Sequence, residues 1–239
     1  MISTHVIPVL NDNYAYVITT ADGHCGVIDP GEARPVKRFL EENGLKPDII
    51  LLTHHHGDHV AGALDLKEAF GAKMVGPAAE ADKIHGLDVG LHEGDPLKFG
   101  EVKVEIIETP GHTLGQINYF FPESKTLFSG DTLFVLGCGR VIEGSMSQMF
   151  ESLRKLKALP PETQVYCGHE YTMANAKFAA HVSPDNSELI NRIDTLQALR
   201  NEGKPTVPAL LRDELATNPF LIAETPEGFS NLREAKDGF

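Results

Sequence analysis

The chain has 239 residues, 41% hydrophobic and 23% charged, with 34 acidic against 21 basic side chains and a formal charge of −13. That length supports one large domain, alone or with a small companion, and no apolar run approaches the roughly 20 residues a bilayer-spanning helix requires. The negative charge repels phosphate backbones and anionic lipid surfaces, which argues against nucleic acid or a membrane as partner.

In chain order, residues 4–8, 14–19 and 25–28 are short β-prone runs separated by the turn formers Asn11-Asp12-Asn13 and Asp22-Gly23, which predicts a meander of strands. Pro35 stands in the first turn of a predicted helix with Val36, Phe39 and Leu40 at helical spacing, and Asn43-Gly44 stops it. Residues 48–52, bounded by Pro47, are too few for a globular helix and read as a strand buried on both faces. Helical period returns over residues 60–70, and Gly71 caps the end. Further strands are predicted at 73–75, 102–107, 117–121, 126–129 and 164–166. A helix with Met146, Met149, Phe150, Leu153 and Leu156 on one face lies between the last two. Beyond His169 helix signals take over, so a boundary near residue 171 is expected. Ser187 is the expected cap of a helix whose Leu189, Ile190, Ile193 and Leu196 share a face and which Gly203 and Pro205 end; residues 208–215 and 226–235 read as two more short helices. No internal repeat or low-complexity segment occurs.

Three cysteines, Cys25, Cys138 and Cys167, form no C-x-x-C pair, and residues 1–5 lack the basic and apolar regions of a secretion signal. A reducing cytoplasm without a disulfide framework is therefore expected, with Cys138 and Cys167 as small packed residues.

Four of the 11 histidines fall in Thr53-His54-His55-His56-Gly57-Asp58-His59, directly after the buried strand. In extended backbone His54 and His56 point to one side and can reach one metal, while Asp58 and His59, past the bend at Gly57, can converge on a second. His112, Asp131 and His169 each repeat one context, a β run, a small or turn residue, then a ligand type. His5, His24, His85, His92 and His181 lack that context, and His55 is expected to point away. The chain carries no G-x-S-x-G elbow, P-loop, H-E-x-x-H or strand-borne G-x-G-x-x-G.

The T-H-x-H-x-D-H motif with the later His, Asp and His resembles the metallo-β-lactamase superfamily, an αββα sandwich holding its metals at one edge. The resemblance implies an α/β fold with a metallo-β-lactamase-like catalytic domain over residues 1–170 and a small helical domain over 171–239. It also implies two divalent ions, one on His54, His56 and His112, the other on Asp58, His59 and His169, with Asp131 bridging. Imidazole and carboxylate donors without a thiolate suit zinc, and also iron or manganese. Ions roughly 3.5–4 Å apart can share a hydroxide and present it to a carbonyl.

Outside the metal motif, Asp131-Thr132-Leu133-Phe134, Gly137-Cys138-Gly139-Arg140, Glu143-Gly144, Gly168-His169-Glu170-Tyr171-Thr172, Asn218-Pro219-Phe220 and Leu232-Arg233-Glu234-Ala235-Lys236-Asp237 resemble the glyoxalase II family nearly end to end. This implies hydrolysis of a glutathione thioester, S-D-lactoylglutathione, to glutathione and a 2-hydroxy acid, the second step of methylglyoxal detoxification, by a protein expected to be a monomer. Arg140, Tyr171, Arg233 and Lys236 fall at glutathione-contacting positions. The same resemblance implies that Asp58 and Asp131 carry the catalytic roles, Asp58 by orienting the hydroxide. Ile142, where some members carry an aromatic residue, and Ile222, where a basic residue is common, depart from the pattern. Lactonase or one-iron persulfide dioxygenase chemistry on the same fold, or a silent glutathione-conjugate binding module, are the alternatives; an unbroken set of seven ligands argues against them.

Overall fold

Strand β1 (Ile2–Val9) pairs antiparallel with β2 (Asn13–Thr20), and alternate residues of β2 serve different cores. In the computed structural model, which describes residues 1–239, Tyr14, Tyr16 and Ile18 enter one hydrophobic cluster while Ala15 and Val17 enter another. That division is what a strand covered on both faces requires. After β3 (Cys25–Ile28) come helix α1 (Ala33–Glu42), β4 (Ile49–Leu51), α2 (Gly57–Val60), α3 (Ala63–Phe70), β5 (Lys73–Pro77) and β6 (Val89–Leu91). The first sheet runs β1-β2-β3-β4-β5-β6, antiparallel up to β3 and parallel beyond it.

The second sheet is built from β7 (Leu97–Phe99), β8 (Val102–Glu108), β9 (Ile117–Phe121), β10 (Thr126–Gly130), β13 (Gln164–Cys167) and β14 (Ala209–Leu210), in the order β14-β13-β10-β9-β8-β7. Between β10 and β13 lie a two-stranded hairpin, β11 (Leu133–Phe134) and β12 (Gly137–Cys138), and helix α4 (Met146–Lys157). The chain ends in α5 (Thr172–Val182), α6 (Ser187–Asn201), α7 (Leu211–Thr217), α8 (Pro219–Ile222) and α9 (Pro226–Asp237).

Three cores make four layers. Ile28, Leu51 and Val75 of the first sheet meet Ile106, Tyr119 and Phe128 of the second in the central one. Val36, Leu40 and Leu66 of α1 and α3 cover the outer face of the first sheet, and Met149, Leu153, Phe178, Phe220 and Phe229 cover that of the second. This is the αββα sandwich, with the region after residue 170 helical apart from Ala209 and Leu210, which extend the second sheet. No helix is long and apolar enough to cross a membrane.

Several local expectations need correction. The predicted helix over 60–70 starts later, at Ala63: Val60 ends the short α2, and α3 follows Gly62, which packs so closely on the start of α1 that a Cβ would lie 2.3 Å from the Ala33 nitrogen. Asn186, not Ser187, caps α6 by accepting from the Leu189 amide, and Ile190 is exposed while Leu189 is buried. Residues 208–215 divide between β14 and α7. The short strands β6, β7, β11 and β12 carry too few residues for a period to be read.

Candidate metal centre

The segments after β3, β4, β8, β10 and β13 end at one edge of the sandwich, and they carry Asp29, residues 53–59, His112, Asp131 and His169. The seven donors read from the sequence meet there. His54, His56 and His112 form one cluster of candidate ligand atoms and Asp58, His59 and His169 another, within each of which all atoms lie within 4.8 Å of one another. Asp131 stands between them: its Oδ2 is 3.4 Å from His112 Nε2 and 3.2 Å from His169 Nε2, and its Oδ1 is 3.4 Å from His59 Nε2. His54 Nε2 and Asp131 Oδ1 are buried with no hydrogen-bond partner. Buried polar atoms are nearly always satisfied, so orphaned nitrogen and oxygen donors converging on one space fit divalent cations.

Partners behind the ligands fix their orientation. Asp29 Oδ2 lies 3.0 Å from His59 Nδ1 and accepts from the Thr53 hydroxyl at 2.6 Å, while Oδ1 accepts from the Thr53 amide. The Thr53 oxygen, having given its proton to Asp29, accepts from His54 Nδ1 at 3.0 Å. His112 Nδ1 donates to the Arg140 carbonyl, 2.8 Å away. His169 Nδ1 faces Asp12 Oδ1 at 3.1 Å. Each of these rings therefore has its Nδ1 committed, leaving Nε2 for a metal. His56 instead turns its Nδ1 toward His112 Nε2, 3.0 Å away.

The charges of these donors act on one another. Burial, then the charge of His59, holds the His54 imidazole well below its ordinary value, so it is neutral. Burial alone would lower His169, but the hydrogen bond and charge of Asp131, then the bond to Asp58, push it up to about 10. Burial opposes ionisation of Asp131, yet His59 and His169 hold it well below the carboxylate range. A hydrogen bond from His169 does the same for Asp58.

Two glycines make room for this packing. A Cβ on Gly168 would stand 2.3 Å from Asp131 Oδ1 and 2.6 Å from His59 Cε1, and one on Gly139 would stand 1.9 Å from the Asp131 carbonyl. His55 points away from the donors, as expected, with Nδ1 2.9 Å from buried Glu80 and Nε2 3.2 Å from Glu143.

A cavity of about 700 Å³ opens over the centre, lined by His56, Asp58, His112, Asp131 and His169 at one end and by Arg140, Tyr171, Arg233 and Lys236 as well. The three cations differ. Arg140 is exposed. Lys236 Nζ donates to the Ala174 carbonyl at 2.9 Å and stands over Phe178. Arg233 is buried, bonded to the Cys138 carbonyl at 2.9 Å and to Asp237 at 2.8 Å, with Phe220 beneath its guanidinium. Tyr171 stacks on the His169 ring at 4.5 Å. Ile142 lines the cavity, whereas Ile222 is not part of its wall. Cys138 and Cys167 are buried, and burial raises their thiols to about 11 and about 12.

Sequence reasoning missed Asp12, Asn13 and Asp29. Asp29 had a usable signal, since it follows a β run as Asp131 does. Its backbone sits in the left-handed region, φ 47°, uncommon without glycine and frequent at functional turns. Asp12 and Asn13 looked only like turn formers.

The family model described as the metallo-beta-lactamase superfamily matches residues 10–169, and that described as the hydroxyacylglutathione hydrolase C-terminus matches residues 170–239. A hydroxyacylglutathione hydrolase of Methylococcus capsulatus is 48% identical over 222 residues, covering 92% of this chain and 87% of its own. One from Rhodospirillum rubrum is 50% identical over 224 residues, covering 93% and 88%. Among solved structures, TTHA1623 in a di-iron-bound form is 33% identical with a TM-score of 0.59, covering 70% of this chain and 91% of that one.

Proposed function

The chain belongs to the hydroxyacylglutathione hydrolase family of the metallo-β-lactamase superfamily, and from that premise we propose that it hydrolyses S-(2-hydroxyacyl)glutathione, with S-D-lactoylglutathione as substrate, to glutathione and a 2-hydroxy acid. The observation that carries the reading is the single cavity that joins the two donor clusters to Arg140, Tyr171 and Lys236. A thioester lying in it can present its carbonyl to one end while its carboxylates meet cations at the other.

The same proposal takes residues 1–170 as the catalytic domain and 171–239 as the helical glutathione-binding domain. His54, His56 and His112 would hold one divalent ion, Asp58, His59 and His169 a second, and Asp131 both, with zinc favoured by the donor types and iron or manganese compatible. Such ions supply a deprotonated water at neutral pH and polarise a carbonyl as Lewis acids. The chain's own residues do the rest. Asp58 Oδ2, held by the Asn13 amide at 2.9 Å, is the acceptor that orients the attacking water. Arg140 and Lys236 bind the glutathione carboxylates, and Tyr171 fixes the peptide beside the His169 ring. The departing thiolate needs no strong acid, because a thiol pKa is about 8.5.

Incubation of the metal-loaded protein with S-D-lactoylglutathione, followed by loss of thioester absorbance with and without a chelator, tests this directly. Chelator-sensitive hydrolysis is expected. A fully loaded protein inert toward the thioester would overturn the reading.

A further inference from the structure

The turn between β1 and β2 reaches the centre from outside the motif that supplies its ligands. It is joined to the last ligand segment by backbone: Tyr14 N donates to the Gly168 carbonyl at 2.8 Å, Glu170 N donates to the Asp12 carbonyl at 2.8 Å, and Asn13 forms a β-bridge with His169. Its side chains then divide. Asp12 Oδ1 takes His169 Nδ1 at 3.1 Å, while the Asn13 amide donates to Asp58 Oδ2 at 2.9 Å and to the Asp58 carbonyl at 3.3 Å.

Both side chains act on one cluster. His54 is held instead through Thr53 and His112 through the Arg140 carbonyl, with no contribution from the turn. We propose that Asp12 and Asn13 form a clamp that sets the affinity for one of the two metal ions, the one on Asp58, His59 and His169, and leaves the other unaffected. They are positioning residues, not ligands. Asp12 keeps the His169 ring turned so that Nε2 faces the ion. Asn13 holds the Asp58 carboxylate in one rotamer, which would otherwise have to be ordered when the ion binds.

The inference rests on the two-ion reading, and one experiment separates them. The loaded wild type, Asp12→Asn, Asn13→Ala and, as a control in the same turn, Asn11→Ala are equilibrated against rising chelator, and metal per chain is measured by mass spectrometry. Melting of each metal-free chain is followed in parallel. Wild type and Asn11→Ala should release two ions along the same curve. Asp12→Asn and Asn13→Ala should release one ion at about 10- to 100-fold lower chelator and the other at the wild-type position. A purely structural role would lower the metal-free melting temperature and weaken both ions together, and that outcome overturns the clamp. So do release curves that superpose on the wild type. A wild type carrying a single ion would instead overturn the two-ion reading and the clamp with it.

Discussion

Asp29 and His59 form a buried pair, Oδ2 to Nδ1 at 3.0 Å, and through Thr53 the same carboxylate also governs His54. One carboxylate thus supports a donor in each cluster. Asp29→Ala strips partners from the Thr53 amide and hydroxyl and from His59, all buried, and should cost about 3 kcal/mol or more. Asp29→Asn keeps the shape but replaces an acceptor by a donor, so it should weaken both ions by about 10- to 100-fold while folding normally. Metal content and chemical denaturation of the two variants check this; unchanged metal affinity in Asp29→Asn would show that the pair is only structural.

Gly168 should tolerate no side chain. Its Cβ would need to displace Asp131 or His59 by about 1 Å, a misplacement that can cost on the order of 100-fold in rate. Gly168→Ala is therefore expected to fold, to bind metal poorly and to lose about that much activity. Glycine at 57, where a Cβ meets nothing within 4 Å, offers the contrast, and Gly57→Ala should retain its metal.

The strands were legible in the sequence because both sheets bury alternating or continuous apolar runs, as at 14–19, 48–52 and 117–121, whereas their arrangement as an αββα sandwich followed only from the resemblance of the ligand motif to the metallo-β-lactamase superfamily. The short strands Leu97–Phe99 and Leu133–Phe134 were not legible, since two or three residues carry no period and their pairing depends on distant partners. Within the site, the ligand types announced themselves by position after strands, and they converge. Their supports did not. Asp12 meets His169 across 157 residues of sequence, a separation no local pattern encodes. Arg233 is a different case: the family resemblance marks it as a glutathione contact, and the fold in addition ties it to the Cys138 carbonyl and Asp237.

Loading the metal-free protein should release protons. His169 is pushed up to about 10, against the effect of burial, by the hydrogen bond and charge of Asp131 and the bond to Asp58, and His59 is raised by Asp131 and Asp29 against its burial. At pH 7.5 the His169 ring therefore carries a proton that the ion must displace, and the shift of His59 acts in the same direction. Affinity for the ion on these rings should rise with pH across neutrality, by about tenfold per pH unit for each proton displaced. The His54 ring, neutral through burial, contributes no such proton. Calorimetric titration in buffers of different ionisation enthalpy counts the protons; a count of zero at pH 7.5 would contradict this charge arrangement.

The three cavity cations should separate into two kinds. Arg140 is exposed at the cavity, and Lys236 there holds only the exposed Ala174 carbonyl and the faces of Phe178 and Phe239, so Arg140→Ala and Lys236→Ala should each remove one charge-assisted contact to glutathione. That is worth roughly 1.5–3 kcal/mol, or about a ten- to hundredfold fall in kcat/KM, carried by KM, with metal content and melting temperature unchanged. Arg233→Ala differs, because it also strands the Cys138 carbonyl and Asp237 and opens space above Phe220. It should lower stability as well as kcat/KM, and Arg233→Lys should rescue neither fully, since an ammonium cannot serve both partners in the same plane. A small thioester without the glutathione carboxylates separates binding from chemistry. Its hydrolysis should be nearly unaffected in Arg140→Ala and Lys236→Ala, whose side chains have no partner on it. Equal losses on both substrates in correctly loaded variants would mean that these cations maintain the fold and that glutathione is held elsewhere.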